Sequence, residues 1–309
     1  MAVTATTTGV HLRFGERVGL FADRRFKYLT IWPAVLLLLF IGVFPLVYTL
    51  VVSFQNITVF EEDTSFSGLL NYARLLGDAR FWAALGHTLL ITAIALPLEL
   101  VFGMAMALLF LERMPGRQIF VALLVLPTVI APIVAGSIWR LLFDNRFGPI
   151  NQILGWIAGE PMTILWTVRP EWVYPAIIVC EVWQWTPFMF LLLLAGLSNV
   201  DPSLTESAEI DGAGYWRTFF RIVLPAIRPV VAVALLIRAL DLIRIFDIIW
   251  ALTRGGPGTM TETVSIYAYI QGFEQFNTSY TAAIAVLLIV ILSAAVILAL
   301  KRMEITRWA

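Results

Sequence analysis

Along its length the chain alternates between long apolar runs and shorter polar intervals. Six runs stand out, at 30–54, 86–111, 119–143, 173–198, 226–252 and 280–300. A bilayer's hydrocarbon is about 30 Å thick and a helix rises about 1.5 Å per residue, so about 20 apolar residues cross it. Each run therefore predicts a transmembrane helix, and the expected fold is all-α. The first run follows a polar tail containing Arg24, Arg25 and Lys27. It outlasts the apolar core of a signal peptide and shows no small-residue cleavage site, so it is expected to be retained. Between the first two runs, "FSGLLNYARLLGDARFW" has leucines at helical spacing and predicts a short surface helix. Phe147 to Trp156 predicts a turn and a short amphipathic piece, and Trp156, Trp166 and Trp172 suit an interfacial belt.

Composition agrees with a membrane solvent. Hydrophobic residues make up 60% of 309, charged residues 14%, and the mean hydropathy is +0.87, far from the soluble average of about 25% charged. Net charge is +0, so bulk charge points to no nucleic acid and only the placement of charge is informative. The tail (Arg13, Arg17, Arg24, Arg25, Lys27), the second-to-third loop (Arg113, Arg117), the fourth-to-fifth loop (Arg217, Arg221, Arg228) and the C-terminal end (Lys301, Arg302, Arg307) hold most of the basic residues. The intervening segments hold only Arg74, Arg80, Arg146, Arg169 and Arg254. The positive-inside rule then places both termini in the cytoplasm. The division expected is a tail at 1–29, a first helix and extracytoplasmic segment at 30–85, a core of five helices at 86–300 with a cytoplasmic loop at 200–225, and an end at 301–309.

Candidate catalytic chemistry is scarce. His11 and His87 are the only two histidines and Cys180 the one cysteine, too few for a histidine metal site, a triad or a disulfide framework. Cys180 lies in an apolar run and reads as packing. No phosphate-binding G-x-x-x-x-G-K-[ST] stretch occurs, so nucleotide chemistry would have to come from another chain. Charges within the apolar runs are Glu99, Arg140, Glu181, Arg238, Asp241, Arg244 and Asp247, each expensive in lipid unless paired or hydrated. Arg238, Asp241, Arg244 and Asp247 alternate in sign at every third residue, so successive members are helical neighbours. Each step turns the helix by about 300°, carrying the row across half the circumference in about 13 Å. It reads either as a self-neutralised ladder that orients the fifth run or as part of a polar path lined by Arg238 and Asp241. In "EVWQWTPF", Trp183, Gln184 and Trp185 beside Glu181 offer indole faces and an amide, which suit either interface anchoring or a sugar ring.

The longest polar interval of the second half is "ESAEIDGAGYWRTFFRIVLP". Asp201-Pro202 before it predicts a helix start, with Asp as N-cap and Pro at the first helical position. Gly212 and Gly214 end that helix or admit a close backbone, and a second short helix runs through Tyr215 to Ile222. The pattern E-A-A, three residues, G, nine residues, I-x-L-P stands here as Glu206-Ser207-Ala208, Gly212 and Ile222-Val223-Leu224-Pro225. With Thr253-Arg254-Gly255-Gly256-Pro257 and stretches such as "LPTVIAPIVAGSIWRLLF", it resembles the permease subunits of binding-protein-dependent ABC importers. Within that family the chain is similar to the carbohydrate-uptake branch of maltose and glycerol-phosphate type. Ser207 replaces the usual second alanine, a small-for-small change.

The resemblance implies a type I ABC importer permease in the bacterial inner membrane. It further implies a second homologous permease, two ATPase subunits that carry ATP and Mg, an extracytoplasmic solute-binding protein and a sugar-like substrate. This chain itself would bind no cofactor and no metal. The loop would be the coupling helix, with Glu206, Ser207, Ala208, Asp211, Gly212, Ile222, Leu224 and Pro225 as its ATPase-coupling residues. Family sugar-contact positions fall on Gln184, Trp185, Phe188, Arg238, Asp241, Leu242 and Ile245, with Trp183 alongside. Arg238 among them raises the alternative of an anionic sugar. The rival classes are a proton-coupled secondary transporter using Glu99, Glu181 and Asp241, and a membrane enzyme for which no nucleophile or metal constellation is visible.

Overall fold

The computed structural model describes residues 28, 30–58, 62–112 and 114–303. Arg13, Arg17, Arg24, Arg25, Lys27, Arg113 and Arg307, used for the charge count, lie outside them. Apolar length alone makes four long helices: α1 (Thr30–Ser53), α3 (Ala79–Leu109), α7 (Pro170–Ser198) and α13 (Thr278–Met303). Their mixed faces follow from their surroundings, because a helix in lipid hides no apolar stripe from its solvent. Residues such as Leu38, Phe40 and Ile41 on α1 stay exposed.

The other two predicted spans are broken. The third run folds as α4 (Arg117–Val129) and α5 (Pro132–Leu142), bent by 97°. Pro132 is the cause: its ring disfavours helical backbone at the preceding residue, and Ala131 is extended at ψ 134°. The fifth run folds as α10 (Arg228–Ile243) and α11 (Asp247–Leu252), which part at Arg244–Phe246. Preceding α10 at 69° is the helical stretch α9 (Tyr215–Ala226), after α8 (Pro202–Ile210). The described chain therefore has four helices long enough to cross a membrane, or six if the bent pairs α4–α5 and α9–α10 each form one span.

Between α1 and α3, the chain makes an antiparallel hairpin, β1 (Gln55–Ile57) with β2 (Glu62–Phe66), and then α2 (Leu70–Leu76). The hairpin is a departure from the all-α expectation. Its strand Gln55–Ile57 is tied to α13 where Ser279 Oγ accepts from the Ile57 amide at 2.9 Å. The short helices α2 and α6 (Pro149–Ala158) stand where helical spacing placed them. After α11, a loop leads to α12 (Val264–Tyr269) and into α13.

Glycines set the closest helix crossings. A Cβ on Gly103 of α3 would stand 2.8 Å from Met189 Cβ and 3.0 Å from the Phe190 nitrogen on α7. One on Gly136 of α5 would stand 2.8 Å from Ala251 Cβ on α11. Small residues let backbones approach and gain dispersion contact where lipid supplies no hydrophobic drive. Around these crossings, Ile91, Phe143, Val173, Ile177, Ile249 and Ile266 form one buried cluster, and Ala107, Phe110, Phe190, Leu193 and Ile227 another. Trp166 joins the first cluster and is only 9% exposed. It donates to Asn151 Oδ1 at 2.9 Å, so the interfacial role expected for it is replaced by core packing. Trp156 is 85% exposed, as a belt residue would be.

Polar groups lock the end of the molecule where α3 begins. Asp78 caps α3 by accepting from the amides of Arg80 and Phe81, and also accepts from the hydroxyls of Tyr267 and Tyr280. Partial burial opposes its charge, but these bonds prevail and hold its carboxyl below the ordinary aspartate range. Arg80 grips the buried Glu262 with Nη2 at 2.8 Å and Nε at 3.1 Å. The loop containing Thr253-Arg254-Gly255-Gly256-Pro257 is thereby fastened to α3.

Candidate substrate cavity and coupling helix

Glu99 on α3, Glu181 on α7 and Arg238 on α10 meet inside the helix bundle. Arg238 is 1% exposed and Glu99 0%. Its Nε donates to Glu99 Oε2 at 2.8 Å, and its Nη2 donates to Glu99 Oε1 and Glu181 Oε1, each at 2.8 Å. The guanidinium carbon lies 4.6 Å from the Trp185 ring centroid, a cation–π arrangement. Burying this charge is costly, and two charge-assisted partners are what offset it. No motif pointed to Glu99 as a partner: it lies 139 residues away in sequence.

The alternating row does not form the continuous ladder read from its spacing. Arg238 Nη1 stands 3.8 Å from Asp241 Oδ2, outside hydrogen-bonding range, because the guanidinium is drawn toward the two glutamates. Arg244 reaches back to Asp241 Oδ1 at 3.0 Å. Asp247 lies beyond the break in the helix, at the start of α11, and makes no ion pair among the described residues.

Beside this cluster a cavity of about 310 Å³ opens between α7, α10 and α11, lined by Pro132, Glu181, Trp185, Arg238, Asp241, Arg244, Ile245, Phe246, Asp247 and Ile248. Its volume is at the low end of small-molecule sites. Of the residues singled out from sequence, Trp185, Arg238, Asp241 and Ile245 line it. Trp183, Gln184, Phe188 and Leu242 do not. Gln184 is buried and donates from Nε2 to the Ile130 carbonyl at 2.8 Å, satisfying a backbone group freed where the α4–α5 span bends. Trp183 packs edge-on to Trp139 on α5, and Leu242 is fully buried. Phe188 rests edge-on to Trp185. Glu181 was visible four residues before Trp185, one helical turn away; Pro132 signalled a break in the run but not a place in the cavity, and Phe246 belongs to a break that continuous hydropathy conceals.

At one end of the bundle, α8 starts where Asp201 accepts from the Ser203 amide at 2.9 Å with Pro202 at the first position. This exchange holds the exposed Asp201 carboxyl below its ordinary range. The helix stops in a Schellman arrangement: the Ala213 amide donates to the Ala208 carbonyl at 2.9 Å and the Gly212 amide to the Glu209 carbonyl at 3.0 Å. Gly212 sits at φ +76°, with nothing within 4 Å of where a Cβ would stand, so glycine answers a backbone need there and leaves open space around it. Ala208 is buried against the following helix, while Glu206, Ser207, Glu209 and Asp211 face outward. Ile222 and Leu224 are half-buried and Pro225 exposed. The result is a short acidic helix with a free outer face, held at both ends.

The chain matches the model of "Binding-protein-dependent transport system inner membrane component" over residues 76–303. It is 35% identical over 249 residues to the trehalose/maltose transport system permease protein MalF of Thermococcus litoralis, covering 81% of this chain and 84% of that one. It is 37% identical over 284 residues to the trehalose transport system permease protein SugA of Mycobacterium tuberculosis, covering 92% and 89%. Among solved structures, a bacterial ABC transporter that imports the acidic polysaccharide alginate superposes with a TM-score of 0.80 at 23% identity, over 94% of this chain and 99% of that one; this likeness carries the fold. The chain belongs to the inner-membrane components of binding-protein-dependent transport systems, and is a multi-pass membrane protein.

Proposed function

We propose that this chain is one permease subunit of an ATP-driven importer that carries a sugar or sugar derivative into the cytoplasm. Two relatives, matching 81% and 92% of this chain, are named as trehalose/maltose and trehalose permeases. The carrying observation is the exposed acidic helix α8, rigidly capped at Asp201 and Gly212, at the foot of α10, whose far end walls the cavity. Closure of a partner ATPase under α8 would push on α9 and α10 and tilt the cavity wall. Each bent pair counts as one span, making six, with both termini and α8 in the cytoplasm. A solute-binding protein and ATPase subunits are the partners; a second, homologous permease completes the path, and ATP with Mg binds to the ATPases. Trp185, Arg238, Asp241 and Ile245 stand on the substrate path, and Glu206, Ser207, Ala208, Asp211, Gly212, Ile222, Leu224 and Pro225 form the ATPase seat.

Proteoliposomes holding the full assembly provide the test. Sugar uptake there should require ATP, the ATPases and the binding protein, and should stop with vanadate. Proton-driven uptake by the purified chain alone would establish a secondary transporter instead.

A further inference from the structure

The cavity's charges do not suit an anionic cargo. Arg238 has committed Nε and Nη2 to Glu99 and Glu181, its Nη1 faces Asp241, and its flat face is covered by Trp185. Arg244, the other cation in the wall, is paired with Asp241. Against these stand three lining carboxylates, Glu181, Asp241 and Asp247, with Glu99 directly behind. With every group ionised the four carboxylates outnumber the two guanidinium groups by two. A proton shared between Glu99 and Glu181 still leaves a surplus of one negative charge. Glu181 Oε2 is buried with no hydrogen-bond partner, and Asp247 has no ion-pair partner among the described residues. Asp247 is exposed in this wall and can accept from sugar hydroxyls, while the buried Glu181 carboxylate adds negative charge behind it. Trp185, one face of which lies against Arg238, also lines the cavity, where an indole suits the apolar face of a sugar ring.

We infer that this cavity admits a neutral, hydroxyl-rich sugar and discriminates against one bearing phosphate, sulfonate or carboxylate. Glu99 and Glu181 are positioning residues that hold Arg238 away from the cargo. The inference rests on the reading that the cavity lies on the sugar path. At an effective dielectric of about 20, one surplus charge at about 8 Å corresponds to more than tenfold in affinity.

The test uses the complete membrane assembly in nanodiscs without its binding protein, titrated with trehalose and with trehalose 6-phosphate. The readout is the tryptophan fluorescence change that disappears in Trp185→Phe. Trehalose should bind at least about tenfold more tightly than its phosphate, and both Glu99→Gln and Glu181→Gln should narrow that ratio. A merely structural role for the glutamates would weaken both sugars alike and leave the ratio unchanged, which would overturn their positioning role. Equal wild-type affinities would overturn the discrimination. Intact ATP-driven uptake with no Trp185 signal from either sugar would overturn this cavity's role while sparing the transport reading. Absence of any ATP-driven sugar uptake would bring down both.

Discussion

Arg238 shows what a residue's sequence context can and cannot convey. Its position in an apolar run marked it as unusual, and the nearest opposite charge, Asp241, was the obvious partner. The structure keeps Asp241 at 3.8 Å but places Glu99 and Glu181 closer, at 2.8 Å, and their approach depends on three helices packing together. Sequence spacing reports neighbours within one helix and is silent about neighbours across helices. Gln184 repeats the lesson, since its amide serves a carbonyl exposed by a bend that the sequence did not reveal. The burial difference has a measurable consequence. Arg238→Met strands two carboxylates without their cation and should cost about 3–5 kcal/mol, seen as a lower unfolding midpoint of the detergent-solubilised subunit. Asp241 is 39% exposed, so Asp241→Asn should cost about 1 kcal/mol or less. Much of the Arg238→Met loss should return when Glu99→Gln and Glu181→Gln are added; equal shifts for the two single variants would refute the buried cluster.

Among the elements, long apolar helices were legible because their signal is length, and α8 because its N-cap, proline and terminal glycine are local chemistry. The bends within the third and fifth runs were not legible from hydropathy, which stays high across them. Pro132 after Ala131 was the available cue for the first; the 69° turn at Ile227 lies between Pro225 and Pro229, whereas the helix break at Arg244–Phe246 contains no proline or glycine. The hairpin at 55–66 escaped because its short strands carry little periodic signal. Helix crossings make a sharper prediction than helix positions do. Gly103→Ala forces a methyl into Met189 and Phe190 and should destabilise the subunit by about 1–3 kcal/mol. Gly86, on the same helix, has open space where a Cβ would stand, so Gly86→Ala should be neutral or stabilising by up to about 1 kcal/mol. Both are read from thermal unfolding in detergent, and a Gly103→Ala subunit as stable as wild type would mean that α3 and α7 cross elsewhere.

As a whole, the molecule places an acidic, exposed helix at one end and a charged, aromatic-walled cavity within its bundle, with α9 and α10 running between them. On the proposed function, that arrangement would give the acidic residues of the 206–225 segment a mechanical role and leave the chemistry of ATP to other subunits. Gly212 is the point at which the claim is most exposed, because its left-handed φ of +76° closes α8 while open space surrounds it. An aspartate there pays a backbone strain of about 1 kcal/mol and adds a carboxylate to the outer face without displacing a neighbour. The direct measurement is to assemble Gly212→Asp with its partners and record membrane insertion, ATPase recruitment and ATP-driven sugar uptake together. The expected result is a folded, inserted subunit that recruits the ATPase poorly and does not transport; normal recruitment and uptake would contradict the coupling role.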